Sequence, residues 1–276
     1  MKKAIALLLI PALLVGLSGI TGCRQDSNRK GRAEQKKMEL QQVDTIEKSI
    51  EENVYPLPTS ASVIKMLSDL DVGYQFGLTN PKENATKYIS STSRSVNMGV
   101  YGADLSYCTI YNINQEVIDY LNAIRTLANE LNMSKIYDET LYDRIKANVD
   151  NKDGLVSVLT DAFNKTYTYL ADNEQQNLAL LVVGGAWVEG MYLTCNVSEA
   201  AYQVAGISKN LIEQKKSFDL FLEITKPYET DPGIADFLKK LDPIKKVYEG
   251  LSTSLTMQNI MDITKAINEV RVQIVQ

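Results

Sequence analysis

The chain has no histidine among its 276 residues. That excludes every serine–histidine or cysteine–histidine nucleophile pair and every histidine-ligated zinc site. Cysteine is scarce as well, at three residues. Cys23 lies in the N-terminal segment, and Cys108 and Cys195 are far apart with no CxxC spacing. A cysteine-rich metal centre is therefore excluded. In an exported protein these two thiols either pair or stay isolated and buried, and the sequence leaves both readings open. A surplus of positive charge is also lacking, because the formal net charge is −5. Nucleic-acid binding rewards clustered Lys and Arg, so no nucleic-acid partner is expected, nor is a basic face that docks on membranes. No long segment alternates at period two, and no Asn-Gly hairpin signal occurs, so little or no sheet is expected.

The N-terminus carries the clearest signal that is present. Lys2 and Lys3 precede an apolar run from Ala4 to Gly16 that only Pro11 interrupts. The run ends in Ile20-Thr21-Gly22-Cys23, an apolar residue, two small ones and a cysteine. This reads as a lipoprotein export signal over residues 1–22, with cleavage before Cys23 and acylation of its thiol. The run is short for a helix that must span a bilayer, which takes about 20 residues. Several acyl chains on one cysteine meet the need for more than one hydrophobic anchor. The expected location is the bacterial cell envelope, on the periplasmic or outer-membrane face. Removing the two signal lysines brings the net charge to about −7.

Residues 24–37 (RQDSNRKGRAEQKK) are polar without an apolar period. They read, with Cys23, as a lipidated tether over 23–37. The helical domain is expected over 38–276. Apolar content is 45% and charged content 23%, which suits a globular body. A first helix reaches about Asn53 with Val43, Ile46 and Ile50 as its apolar stripe. Tyr55-Pro56-Leu57-Pro58-Thr59-Ser60 breaks the chain. Thr59 or Ser60 caps a second helix that buries Val63, Met66, Leu67 and Leu70. After Pro81 the pattern predicts one long helix to about Tyr111, then one over Asn114–Leu131 with Val117, Leu121, Ile124, Leu127, Ala128 and Leu131 at helical spacing. Further helices are predicted over 138–149, 153–171, 174–195, 198–226, 233–249 and 257–274. The fold class is all-α, a multi-helix bundle behind an N-terminal lipid-anchored tether.

One internal match raises the expectation of two pseudo-repeated helical units. Gly99, Asp104, Tyr107 and Thr109 share the spacing G-x4-[DE]-x2-Y-x-T with Gly184, Glu189, Tyr192 and Thr194. Asn112-x-x-Gln115 and Asn196-x-x-Glu199 follow the two copies and fit a capping box. On a helix, residues three apart share a face, so each carboxylate stands beside its tyrosine. Gly99, Gly102, Gly184, Gly185 and Gly190 lie near those carboxylates. Glycine costs a helix about 1 kcal/mol relative to alanine, so close approach between the two matched helices is expected, with Asp104 and Glu189 on the inner side.

Carboxylates that meet in an apolar interior have three uses. They share a proton for acid–base work, they bind a hard cation through oxygen, or they serve as structural hydrogen-bond acceptors. Asp104, Tyr107, Glu189 and Tyr192 are the candidate ligand or ion site; the sequence leaves the metal undefined and names no catalytic residue. No cofactor is expected. The segment Leu178–Cys195 has one charge, Glu189. It touches the length of a membrane span, but a central charge is costly there, so a core helix with Trp187 in the packing is expected. Asp150-Asn151-Lys152-Asp153-Gly154 lacks the carboxylates a calcium loop needs at its ends and reads as a helix start.

The run Asn97-Met-Gly-Val-Tyr-Gly-Ala-Asp-Leu-Ser-Tyr107 resembles a segment of the all-helical lipoproteins of Bacteroidetes. Tyr55-Pro-Leu-Pro-Thr-Ser60 and Gly184-Gly-Ala-Trp-Val-Glu-Gly-Met-Tyr192 are similar to other segments of that group, and the resemblance spreads over roughly residues 55–200. It implies an exported all-helical lipoprotein and transfers no catalytic residue. The expected function is a lipid-anchored, non-enzymatic binding or interaction domain. Its partners would be the membrane, through the lipid, and an envelope protein or small ligand. The alternative is a carboxylate-dependent enzyme or ion-binding protein centred on Asp104 and Glu189.

Overall fold

In the computed structural model, residues 72–196, 205–251 and 255–276 are described, side chains excepted over 205–210. All of them belong to one compact unit, Asp44–Gln276. The signal segment, Cys23, the tether and the helices expected before Leu70 lie outside the described residues, as do residues 198–204 of the predicted 198–226 helix.

The fold is all-α, a multi-helix bundle with no strand among the described residues. A 3-10 helix, Lys82–Lys87, leads into α1 (Ser91–Ile110) and α2 (Asn114–Glu130). Next come α3 (Glu139–Asn148), α4 (Lys152–Asp172) and α5 (Gln176–Asn196). Then follow α6 (Ala205–Thr225), α7 (Pro232–Lys240), α8 (Asp242–Glu249) and α9 (Met257–Val275).

The single helix predicted from Pro81 to Tyr111 is two elements. Ser90 is extended and accepts from the Ser93 N–H, while the Ser93 side chain accepts from the Ser90 N–H. That reciprocal cap starts α1 and ends the 3-10 turn before it. At its far end α1 closes on Asn112, whose φ of 55° is left-handed. The Ile113 N–H donates to the Cys108 carbonyl and the Asn112 N–H to Thr109, a Schellman closure. Asn112 therefore ends α1; the capping box expected at Asn112 and Gln115 is absent, and α2 starts without a side-chain cap. Asn132 (φ 62°) and Glu174 (φ 60°) close α2 and α4 in the same way. The segment predicted as one helix over 233–249 also divides. Asp242-Pro243 opens α8, because proline lacks the N–H and the room to continue α7. Asn151 caps α4 by accepting from the Gly154 N–H, so the acidic loop is a helix start.

The centre is the contact between α1 and α5. Its apolar residues surround α5 on all sides, and 94% of its most apolar window is buried by the fold. A helix apolar all round belongs in a core. Two glycines set its distance from α1. A β-carbon on Gly99 would overlap the Val182 carbonyl oxygen, and one on Gly185 the Val96 carbonyl oxygen. Gly184 faces Phe237 and Phe221 instead, and a β-carbon on Gly102 meets nothing within 4 Å. Gly102 is thus not part of the close approach. The second layer is α2 on α1 with the 3-10 helix against α2, α4 on both core helices, and α9 on α5. Trp187 packs against Phe218 with ring centroids 5.0 Å apart and the rings tilted, as expected of a core residue.

Candidate functional site

Asp104 projects from α1 and Glu189 from α5, and both are completely buried. They face each other at hydrogen-bonding reach across the glycine contact. A third charge joins them from α9. Arg271 Nε donates to Glu189 Oε2 and Nη2 to Oε1, each at 3.0 Å. This is the paired, planar geometry that guanidinium and carboxylate favour. The outer face of the guanidinium lies 4.1 Å from the centre of the Tyr192 ring, a cation–π contact that leaves the Arg271 side chain 12% exposed.

Arg271 is held in register by the end of its own helix. The last carbonyls of a helix have no partner within it. Here Asn97 Nδ2 donates to the Ile274 carbonyl at 2.8 Å, and the Tyr88 hydroxyl donates to the Val275 carbonyl at 3.1 Å. The terminus of α9 is thereby fixed to α1 and to the chain before it, one turn beyond Arg271.

The segment Leu78–Pro81 closes the cluster. The Asn80 N–H donates to Asp104 Oδ2 at 3.1 Å, and Arg271 Nη2 also reaches the Leu78 carbonyl at 3.4 Å. The Tyr120 hydroxyl donates to the Asn80 carbonyl and the Tyr101 hydroxyl to the Pro81 carbonyl, both at 3.0 Å. Asn80 Nδ2 reaches the Tyr88 hydroxyl at 3.0 Å. Buried backbone groups need partners; Asn80 is buried and the residues beside it are half-buried or exposed, and polar side chains of α1, α2 and α9 serve their carbonyls.

Two facing carboxylates with one cation cannot both be ionised cheaply in a dry interior. Burial pushes the Asp104 carboxyl well above the usual carboxylate range, and the Glu189 charge pushes it further. Burial also raises Glu189, but there the Arg271 guanidinium and the hydrogen bond from Asp104 act in the opposite direction. Asp104 Oδ1 finds no donor among the described residues. A proton kept by Asp104 and donated to Glu189 removes the conflict. The cluster is then a neutral acid, a carboxylate and a guanidinium, with no net charge.

Of the sequence-predicted residues, Asp104 and Glu189 come together and Tyr192 covers their cation. Tyr107 is held elsewhere. Its hydroxyl accepts from the Gln75 N–H at 2.9 Å, and its ring lies between Tyr74 and Tyr111 at 5.1 and 5.0 Å. The sequence reading missed Arg271, Asn80 and Asn97. Arg271 had one local signal, a cation between Val270 and Val272 on the apolar rhythm of α9. Asn80 had only its place before Pro81.

The cluster can hold a proton and lock four chain segments together. It offers a cation little: both Glu189 oxygens face Arg271, and Asp104 Oδ2 accepts from backbone. Among the described residues no three His, Cys, Asp or Glu side chains gather as metal ligands. No disulfide joins Cys108 to Cys195, and burial pushes both thiols up to about 12, which keeps them protonated and unreactive. Protein-family models, curated proteins and solved structures give no match to this chain.

Proposed function

We propose that the chain is a lipid-anchored protein of the bacterial cell envelope whose helical body is a non-enzymatic binding or interaction domain. The anchor reading is supported by Ile20-Thr21-Gly22-Cys23 behind a short apolar run. The two pseudo-repeated units are part of the same reading. They are supported by the way equivalent positions meet: Gly99 lies against the turn that holds Gly184, and Asp104 faces Glu189.

One observation carries the non-enzymatic reading. The strongest candidate acid–base pair is fully buried, and its oxygens are taken up by Arg271, by Asn80 and by each other. A carboxylate that is to act on a substrate needs an edge the substrate can reach. Here the same groups hold the fold.

The test is mass spectrometry of the mature N-terminus together with membrane fractionation. An acylated Cys23 and a Cys23→Ser protein that leaves the membrane fraction are expected. A mature protein with an unmodified Cys23 contradicts the reading.

A further inference from the structure

We infer that the groove between α3 and α4 binds a short peptide with free termini and small side chains, about three residues long. This rests on the reading of the helical body as a binding domain, and it names the class of ligand.

The groove offers about 600 Å³, within the usual size of a small-ligand site. Its floor is apolar, because Leu141 of α3 and Ala162 of α4 are buried where the two helices pack. Its walls are polar. On α4, Asp161, Lys165, Thr168 and Asp172 follow at steps of four, three and four residues and form one stripe along the groove.

The two ends of the stripe carry opposite charge. At one end Arg144 Nη1 and Lys165 Nζ both hold Asp161 Oδ2, at 2.7 and 3.1 Å. Two cations share one carboxylate, an excess of one positive charge. At the other end stand Asp138, Asp172 and Lys135, an excess of one negative charge. The Tyr137 and Thr166 hydroxyls bond at 2.8 Å, and the Tyr169 hydroxyl donates to the Asn132 carbonyl at 3.0 Å. These bonds bring the loop before α3 to that end of α4. Asp138 already caps α3, so Asp172 is the carboxylate available to an occupant.

A lone anion would leave Asp172 without a partner, and a lone cation would leave Arg144 and Lys165 without one. The matching ligand carries both charges, well separated. Lys165 and Asp172 are seven residues apart, about 10 Å along a helix. Three extended residues span about the same distance, whereas a free amino acid reaches one end only. A tripeptide laid along the stripe brings its carboxylate to Arg144 and Lys165 and its ammonium to Asp172. Its side chains then face Leu141 and Ala162, which suit small apolar groups. Asn164 lines the same wall with Oδ1 buried and no donor among the described residues. A peptide N–H is the donor it lacks once the amide turns towards the groove.

Titration of the full chain with Ala-Ala-Ala, read by calorimetry and ligand-detected NMR, tests the assignment. Saturable one-to-one binding is expected. Acetylating the peptide amine or amidating its carboxylate is expected to weaken binding by about two- to fivefold each, the range of a partly exposed ion pair. Arg144→Gln is expected to weaken Ala-Ala-Ala by a similar factor and to leave the amidated peptide unaffected, because the charge it answers is already gone. Asp172→Asn is expected to do the same with respect to the acetylated peptide. Both side chains are exposed, so both variants are expected to fold and melt as the wild type does. No saturation by about 10 mM peptide overturns the assignment. So does equal binding of the free and blocked peptides, or binding that neither variant changes. An empty groove in a chain whose Cys23 is acylated overturns this assignment alone and leaves the anchor standing.

Discussion

Arg271 places two parallel hydrogen bonds of 3.0 Å on Glu189, a residue 82 positions earlier in the chain. Asp104, the second carboxylate, receives one backbone N–H and, among the described residues, no cation of its own. One guanidinium therefore serves two buried acids, and this fixes an unequal division of charge between them. Glu189 is the ion and Asp104 holds the proton.

The division makes two conservative variants behave differently. Asp104→Asn reproduces a neutral acid, with an amide donor for Glu189 and an oxygen for Asn80. Its unfolding free energy at about pH 4, where holding the Asp104 proton costs the wild type nothing, is expected to lie within about 1 kcal/mol of the wild type. Glu189→Gln leaves Arg271 buried without a counter-ion and is expected to cost about 3–5 kcal/mol. Denaturant unfolding of both proteins in one buffer checks this. Equal losses would contradict the assignment.

The pH dependence follows from the raised Asp104 carboxyl. An unfolded aspartate titrates near about 3.9, and in the fold its pKa lies well above that. The folded state then binds one more proton than the unfolded chain across the interval. The stability due to Asp104 is complete below about pH 4 and declines as pH rises towards the folded value, by up to about 1.4 kcal/mol per unit. Asp104→Asn removes this term. The stability of the variant relative to the wild type is expected to increase with pH, as urea midpoints at several pH values would show.

The close helix contact separates glycines by role. Gly99→Ala and Gly185→Ala push a methyl into a backbone carbonyl of the facing helix. Each is expected to destabilise by about 1–3 kcal/mol through overpacking. Gly102→Ala meets open space and is expected to gain up to about 1 kcal/mol from helix propensity. Thermal melts of the three variants check the ordering.

Glu174 holds a left-handed conformation at the end of α4, where a side chain costs about 1–2 kcal/mol. Glu174→Gly is expected to stabilise by about 1 kcal/mol, with the Schellman bonds from Glu174 and Gln175 unchanged. A variant that melts below the wild type would show that the Glu174 side chain has another task.

Much of the fold is legible in local pattern. Val117, Leu121, Leu127 and Ala128 recur at helical spacing and are all buried. The apolar run around Trp187 is the core helix it reads as. The boundaries misread at Ser90 and Asn112 share a cause: the decisive signals are hydrogen bonds that residue type leaves ambiguous. Ser90 and Ser93 form a reciprocal cap although neither is the usual Glu or Gln at the third position. Asn112 suits a helix start and a left-handed helix end alike, and the closure by Ile113 decides for the end. The site is half legible. Glycines beside Asp104 and Glu189 point to the helix contact. Nothing near either carboxylate in sequence points to Arg271 or Asn80, because only the tertiary fold brings α9 and the Leu78–Pro81 segment to them.

The most direct measurement is a carbon-13 NMR titration of the side-chain carboxyls of Asp104 and Glu189, assigned with Asp104→Asn and Glu189→Gln. At neutral pH, Asp104 is expected to show the shift of a neutral acid and Glu189 that of a carboxylate. Two ionised carboxylates at that pH, or a proton on Glu189 with Asp104 charged, would contradict the account.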